Sequence, residues 1–139
     1  SLLKTNLSAD LSSSTKLSHS YQALVLDTTG EIMDWLPHAK VAVIGKSFLA
    51  EGGQNPVEPI LCNIPTIVGP HMNNFKELVQ ELTLNQGVIQ TNTEQLSEKI
   101  ATILNQPKLI AQLMTASREV IQKHSGATQR TINELNKLA

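Results

Sequence analysis

Residues 41–69 read VAVIGKSFLAEGGQNPVEPILCNIPTIVG, and this stretch decides the fold. Val41 to Gly45 and Pro65 to Gly69 are short apolar runs rich in β-branched residues. Strands of that kind, with no polar alternation, are expected to be buried on both faces, as parallel strands are. Between them the sequence predicts a long loop, KSFLAEGGQ, and then a helix, NPVEPILC. Strand, helix and strand in that order make a βαβ unit.

The helix start is written into the sequence. Asn55 suits the cap, Pro56 suits the first helical position, and Glu58 stands three residues after the cap. Together they predict a reciprocal capping box. Gly52 and Gly53 lie just before it, where backbone can approach a ligand because no Cβ intervenes. Helix N-termini carry unpaired N–H groups and partial positive charge, which attract phosphate. Taken alone, the stretch is compatible with a capped helix after a surface turn or with an anion cradle.

Outward from this unit the rhythm continues. Ala23 to Thr28 (ALVLDT) predicts an earlier strand, followed by the helix-like EIMDWLPHA, in which Met33 and Trp35 are expected in the core. Gly87 to Thr91 (GVIQT) predicts a fourth strand, between the helices FKELVQELTLNQ and TEQLSEKIATILNQ. After Pro107 the pattern is purely helical, with Leu109, Leu113, Val120, Ile121, Ile132, Leu135 and Leu138 at helical spacing and a break expected at Ser125–Gly126. Residues 8–20, SADLSSSTKLSHS, read as a loop, and Leu2, Leu3 and Leu7 before them as the tail of a helix. The fold class is therefore α/β, a Rossmann-like parallel sheet flanked by helices, with a helical C-terminal tail. Residues 1–107 would be the sheet domain and 108–139 the tail. Four strands are fewer than a nucleotide-binding half usually has, so the chain is expected to be the later part of a larger domain.

Composition narrows the function. Hydrophobic residues are 40% and charged residues 17% of the 139, enough for a core, and no apolar run approaches the ~20 residues of a bilayer span. A net charge of −1, scattered lysines and 3% aromatics give no basis for a nucleic-acid partner. The opening SLLKTNLSADL lacks the features of a signal peptide. The single cysteine, Cys62, sits in an apolar run and is expected as a small buried hydrophobe. His19, His38, His71 and His124 are far apart in sequence, so no transition-metal site is expected. Neither G-x-G-x-x-G nor G-x-x-x-x-G-K-[ST] occurs.

Ligands of open parallel sheets bind beyond the carboxyl ends of the strands. Three polar, glycine-bearing loops gather there: DTTGE, GKSFLAEGGQN and GPHMNNF. In this order and spacing, from Asp27 to Phe75, they resemble the C-terminal domain of bacterial 3-deoxy-D-manno-octulosonic acid (Kdo) transferases, whose members typically read GDTMGEL, GGSL…GGHNPLEP and GPHTFNF. The resemblance implies an inverting, metal-independent GT-B glycosyltransferase that takes Kdo from CMP-Kdo and places it on the lipid A precursor at the cytoplasmic face of the inner membrane. This chain would be most of the donor-binding half. The acceptor half, with the general base and the membrane-contacting surface, would lie N-terminal to it, and the fragment alone would be inactive.

Carried over by position, the resemblance gives Gly52, Gly53 and Asn55 to the CMP phosphate and the Kdo carboxylate, and Glu58 to the ribose hydroxyls. Thr29, Gly30 and Glu31 would line the cytosine side, and Ser47 would lie in the loop facing the sugar. Glu31 could equally answer a helix dipole, and His71 and Asn74 are expected first to fix the GPH loop. Lys46, Gln54 and Thr29 depart from the family pattern. Two other readings are compatible with the chain: a UDP-sugar-using GT-B transferase or epimerase domain, and a non-catalytic α/β module docking through Leu109, Leu113 and Val120.

Overall fold

The structure is a computed structural model and describes residues 2–3, 24–25, 30–49 and 51–138. The chain divides into two compact units, residues 1–35 and 36–139, each described by itself.

In the first unit, β1 (Leu2–Leu3) pairs in parallel with β2 (Leu24–Val25). The expected helix tail at Leu2 and Leu3 is thus a strand, because pairing with a partner strand outweighs the modest helical preference of leucine. Leu7 and the serine-rich loop 8–20 lie outside the described residues. A short helix, α1 (Ile32–Trp35), ends this unit. Met33 is 43% exposed and Trp35 is half-buried, so the expected core role fails for Met33. One turn of helix is too short to turn a full apolar stripe inward.

The second unit contains β3 (Ala42–Ile44), β4 (Thr66–Val68) and β5 (Ile89–Gln90), all parallel and in the order β3-β4-β5. The four expected strands therefore fall in two described sheets. Along the second unit run a 3₁₀ turn (Leu36–His38), α2 (Lys46–Leu49), α3 (Val57–Leu61), a 3₁₀ turn (Asn73–Phe75) and α4 (Lys76–Leu84). Then come α5 (Leu96–Asn105) and α6 (Pro107–Leu138). Helix α2 occupies the start of the stretch expected to be loop.

Successive residues of β4 point to opposite faces, as in any strand. Val68 joins Ile60, Val79, Leu82, Val88 and Val120, while Ile67 joins Ile103 and Leu113. Helices α3 and α4 therefore cover one face and α5 the other, and α6 contributes Leu113 to one cluster and Val120 and Ile121 to the other. Burial on both faces holds for β4, whose three residues are all buried. It fails for Val43, 36% exposed, because β3 is the edge of its sheet and pairs only with β4 among the described strands.

The tail is one uninterrupted helix, 32 residues long, across Ser125–Gly126. A single glycine costs about 1 kcal/mol of helix propensity, which the hydrogen-bond ladder on either side can carry when no proline removes a donor. Leu113 and Val120 are 2% and 4% exposed. The face proposed for docking in the non-catalytic reading is thus used within the unit. Among the described residues no helix is long and apolar enough to cross a membrane.

Candidate functional site

The site is built where β3, β4 and β5 end. Beyond β3 the chain turns at Gly45 into α2, and Ser47 there is fully buried. Its hydroxyl donates to the Ile44 carbonyl at 2.5 Å and accepts the Gly69 N–H at 2.6 Å. Its carbonyl accepts the His71 N–H at 3.0 Å. Ser47, expected in the loop facing the sugar, has its hydroxyl engaged in the interior. Ser47 ties the end of β3 to the loop leaving β4.

That loop, GPHMNNF, is also tied to β5. Gln90 Nε2 donates to the Gly69 carbonyl at 3.1 Å, and Thr91 N–H donates to the Val68 carbonyl at 3.0 Å. Nothing in the sequence singled out Gln90; its one signal was its place at the end of an expected strand.

Gly52 and Gly53 have φ of +98° and +66°, conformations that L-residues with a Cβ rarely adopt. Both are pressed against the GPHMNNF loop: a Cβ on Gly53 would meet the His71 carbonyl and Met72, and one on Gly52 would meet the Asn74 amide. Asn74 N–H donates to the Gly52 carbonyl at 3.2 Å. Asn74 therefore fixes the loop through its backbone, and its side chain is exposed.

The chain then enters α3. Asn55 Oδ1 accepts the Val57 N–H at 3.0 Å, and Pro56 is already helical at φ −84° and ψ −7°. The asparagine cap and the N1 proline are as the sequence predicts. The reciprocal half of the box is not formed: among the described residues Glu58 returns no hydrogen bond to Asn55. Its half-buried carboxylate keeps its acceptor capacity one turn behind the glycine pair. Cys62 caps the other end of this five-residue helix, donating its N–H to the Glu58 carbonyl at 3.2 Å. It is half-buried rather than interior, because so short a helix brings its C-terminus to the surface.

The structure thus gathers Gly52, Gly53, Asn55 and Glu58 at one edge, on a scaffold held by Ser47 and Gln90. In the first unit Gly30 is exposed with φ +84°, and Glu31 immediately precedes α1, its carbonyl accepting the Asp34 N–H at 3.0 Å. Thr29 lies outside the described residues. His71 is exposed, and Lys46 and Gln54 are exposed at the same edge as the glycine pair. Among the described residues no group of His, Cys, Asp and Glu is arranged to hold a metal ion.

No protein-family profile matches the chain. Curated relatives do. A 3-deoxy-D-manno-octulosonic acid transferase of Haemophilus influenzae is 33% identical over 116 residues, 82% of this chain and 27% of the relative. The enzyme of the same name from Bordetella pertussis is 33% identical over 113 residues, 81% of this chain and 26% of the relative. Among solved structures, the C-terminal CMP-Kdo binding domain of WaaA from Acinetobacter baumannii superposes with a TM-score of 0.69 at 30% identity, covering 74% of this chain and 54% of that one. The chain spans about a quarter of the length of these curated relatives. The resemblance read from the three loops and the α/β fold class are both borne out.

Proposed function

We propose, from a similarity to bacterial Kdo transferases that runs over most of the chain, that this protein supplies the CMP-Kdo-binding part of a transferase in lipopolysaccharide core biosynthesis. The observation that carries the reading is the meeting of two motif loops. EGGQNPVEP and GPHMNNF, distant in sequence, close on each other at the carboxyl edge through the 3.2 Å Asn74–Gly52 bond and the packing of Gly53 on His71 and Met72. Ligands of parallel sheets bind at this edge.

In this reading the backbone of Gly52 and Gly53 and the start of α3 at Asn55 face the CMP phosphate and the Kdo carboxylate. Glu58 accepts from the ribose hydroxyls with the oxygens that the capping box leaves unused. By the resemblance, Thr29, Gly30 and Glu31 would line the cytosine side. As the Kdo–phosphate bond breaks, negative charge grows on the departing CMP, and N–H groups fixed by the loop contacts stabilise it without reorganising. Transfer inverts the anomeric centre and uses no metal. The general base that takes the proton from the acceptor hydroxyl belongs to an acceptor half outside this chain. That half also binds the lipid A precursor at the cytoplasmic face of the inner membrane.

Titrating the protein with CMP, with UMP as control, and following backbone amides tests the donor assignment. The expected result is CMP-preferring shifts at residues 30–31 and 52–58. Equal or larger shifts with UMP would move the reading to a UDP-sugar enzyme. Transfer by the full-length protein in the presence of a chelator, with inverted configuration at the Kdo anomeric carbon, is expected from the mechanism.

A further inference from the structure

The segment Gly69–Pro70–His71 leaves β4 with few ways to satisfy its backbone. Pro70 has no N–H to give. The sheet ladder stops at the Thr91 N–H on the Val68 carbonyl, so the Gly69 carbonyl is one residue beyond its reach. Ser47 takes the Gly69 and His71 N–H groups, and Gln90 Nε2 supplies the remaining donor to the Gly69 carbonyl at 3.1 Å. The Gly69 peptide is gripped from both ends, by a serine beyond β3 and a glutamine of β5.

We infer that Gln90 is a positioning residue for the donor site, setting the GPHMNNF loop against the Gly52–Gly53 turn through the Gly69 carbonyl. The inference rests on the proposed function. The path is short. Two residues after Gly69 the His71 carbonyl, and then Met72, bear on Gly53, and the Asn74 N–H holds the Gly52 carbonyl at 3.2 Å. A shift at Gly69 therefore reaches the turn whose N–H groups would face the donor phosphate. Gln90 is itself exposed, and among the described residues its Nε2 is the donor that the Gly69 carbonyl has. Methionine has the length without the donor, and asparagine has the donor without the length.

The test is Kdo transfer by the full-length protein carrying Gln90→Met, measured against CMP-Kdo concentration. Losing one neutral hydrogen bond that aligns the donor loop is expected to raise KM about three- to tenfold and leave kcat within about twofold. A purely structural role lowers the active fraction, which reduces apparent kcat and leaves KM alone. An unchanged KM overturns the inference, whatever happens to thermal stability. Gln90→Asn keeps a polar side chain in case the methionine variant does not fold, and the same rise in KM is expected. If the unaltered full-length protein does not use CMP-Kdo at all, the proposed function falls and the assignment of Gln90 falls with it. A wild-type enzyme that works and a Gln90 variant indistinguishable from it in KM sinks the assignment alone.

Discussion

The two loops that meet at the carboxyl edge are built by opposite means. GPHMNNF is held from outside: Ser47 and Gln90, on either side of β4, satisfy its first peptides. EGGQNPVEP takes its shape from within, by two glycines at positive φ and by an asparagine that caps the next helix, and its tie to the other loop is the Asn74 N–H on the Gly52 carbonyl. The first arrangement fixes a loop with side chains that never need to touch a ligand. The second leaves N–H groups and the Glu58 carboxylate available. At this edge rigidity and chemistry are supplied by different residues, and substitutions should separate them.

The largest effect is expected at Gly53. Gly53→Ala forces a side chain into a left-handed conformation at φ +66° and against the His71 carbonyl and Met72. Left-handed backbone costs an L-residue about 1–2 kcal/mol and overpacking about 1–3 kcal/mol more. A loss of about 2–5 kcal/mol in denaturant unfolding is therefore expected. A loss below about 0.5 kcal/mol would mean that the two loops can part cheaply, and the contrast drawn above would fail.

Ser47→Ala tests the external grip. It leaves the buried Gly69 N–H without a partner, which costs about 1–3 kcal/mol. Donor binding should weaken in parallel, since the Gly69 peptide sets the loop. Asn55 distinguishes cap from ligand. Asn55→Ala should cost about 1 kcal/mol of stability through the lost bond to the Val57 N–H. Asn55→Asp keeps an acceptor for that N–H, so stability should hold, but its charge opposes an anionic donor. CMP affinity that survives Asn55→Asp unchanged would limit Asn55 to the cap.

These contrasts mark what the sequence could and could not reveal. The strand at 65–69, the helices after Phe75 and Gln90, and the Asn55 cap were legible because each rests on a local pattern: an apolar run, a 3.6-residue period, a cap residue before a proline. The loop motifs were legible as a group through their order and spacing. What could not be read depends on partners distant in the chain. Ser47 looks like a loop residue until its hydroxyl meets a peptide 22 positions away, and Gln90 looks like the polar end of a strand until its amide meets one 21 positions away. Leu2 and Leu3 fit a helix end or a strand equally well, and only pairing with Leu24–Val25 chooses. The exposure of Val43 follows from strand order, which a run of apolar residues does not encode.

The smallest expected effect lies away from the edge, where α4 meets α6. Glu81 is 2.6 Å from both Lys123 and His124, and hydrogen bonds with first Lys123 and then His124 hold its carboxyl below the ordinary carboxylate range. A carboxylate whose folded pKa is depressed adds stability at pH values above its unfolded pKa. That stability fades as pH falls toward the lowered folded value, where the carboxylate takes up its proton. Lys123 is 73% exposed, so water and salt screen the pair. Thermal midpoints of wild type and Glu81→Gln should therefore differ slightly near neutral pH and at low salt, and converge in acid or at high salt. A gap that widens as pH falls through the carboxylate range would reverse the sign and show that the Glu81 carboxylate is a burden to the fold. A gap near neutrality as large as that for Ser47→Ala would mean that the α4–α6 contact, rather than the edge, holds the second unit together.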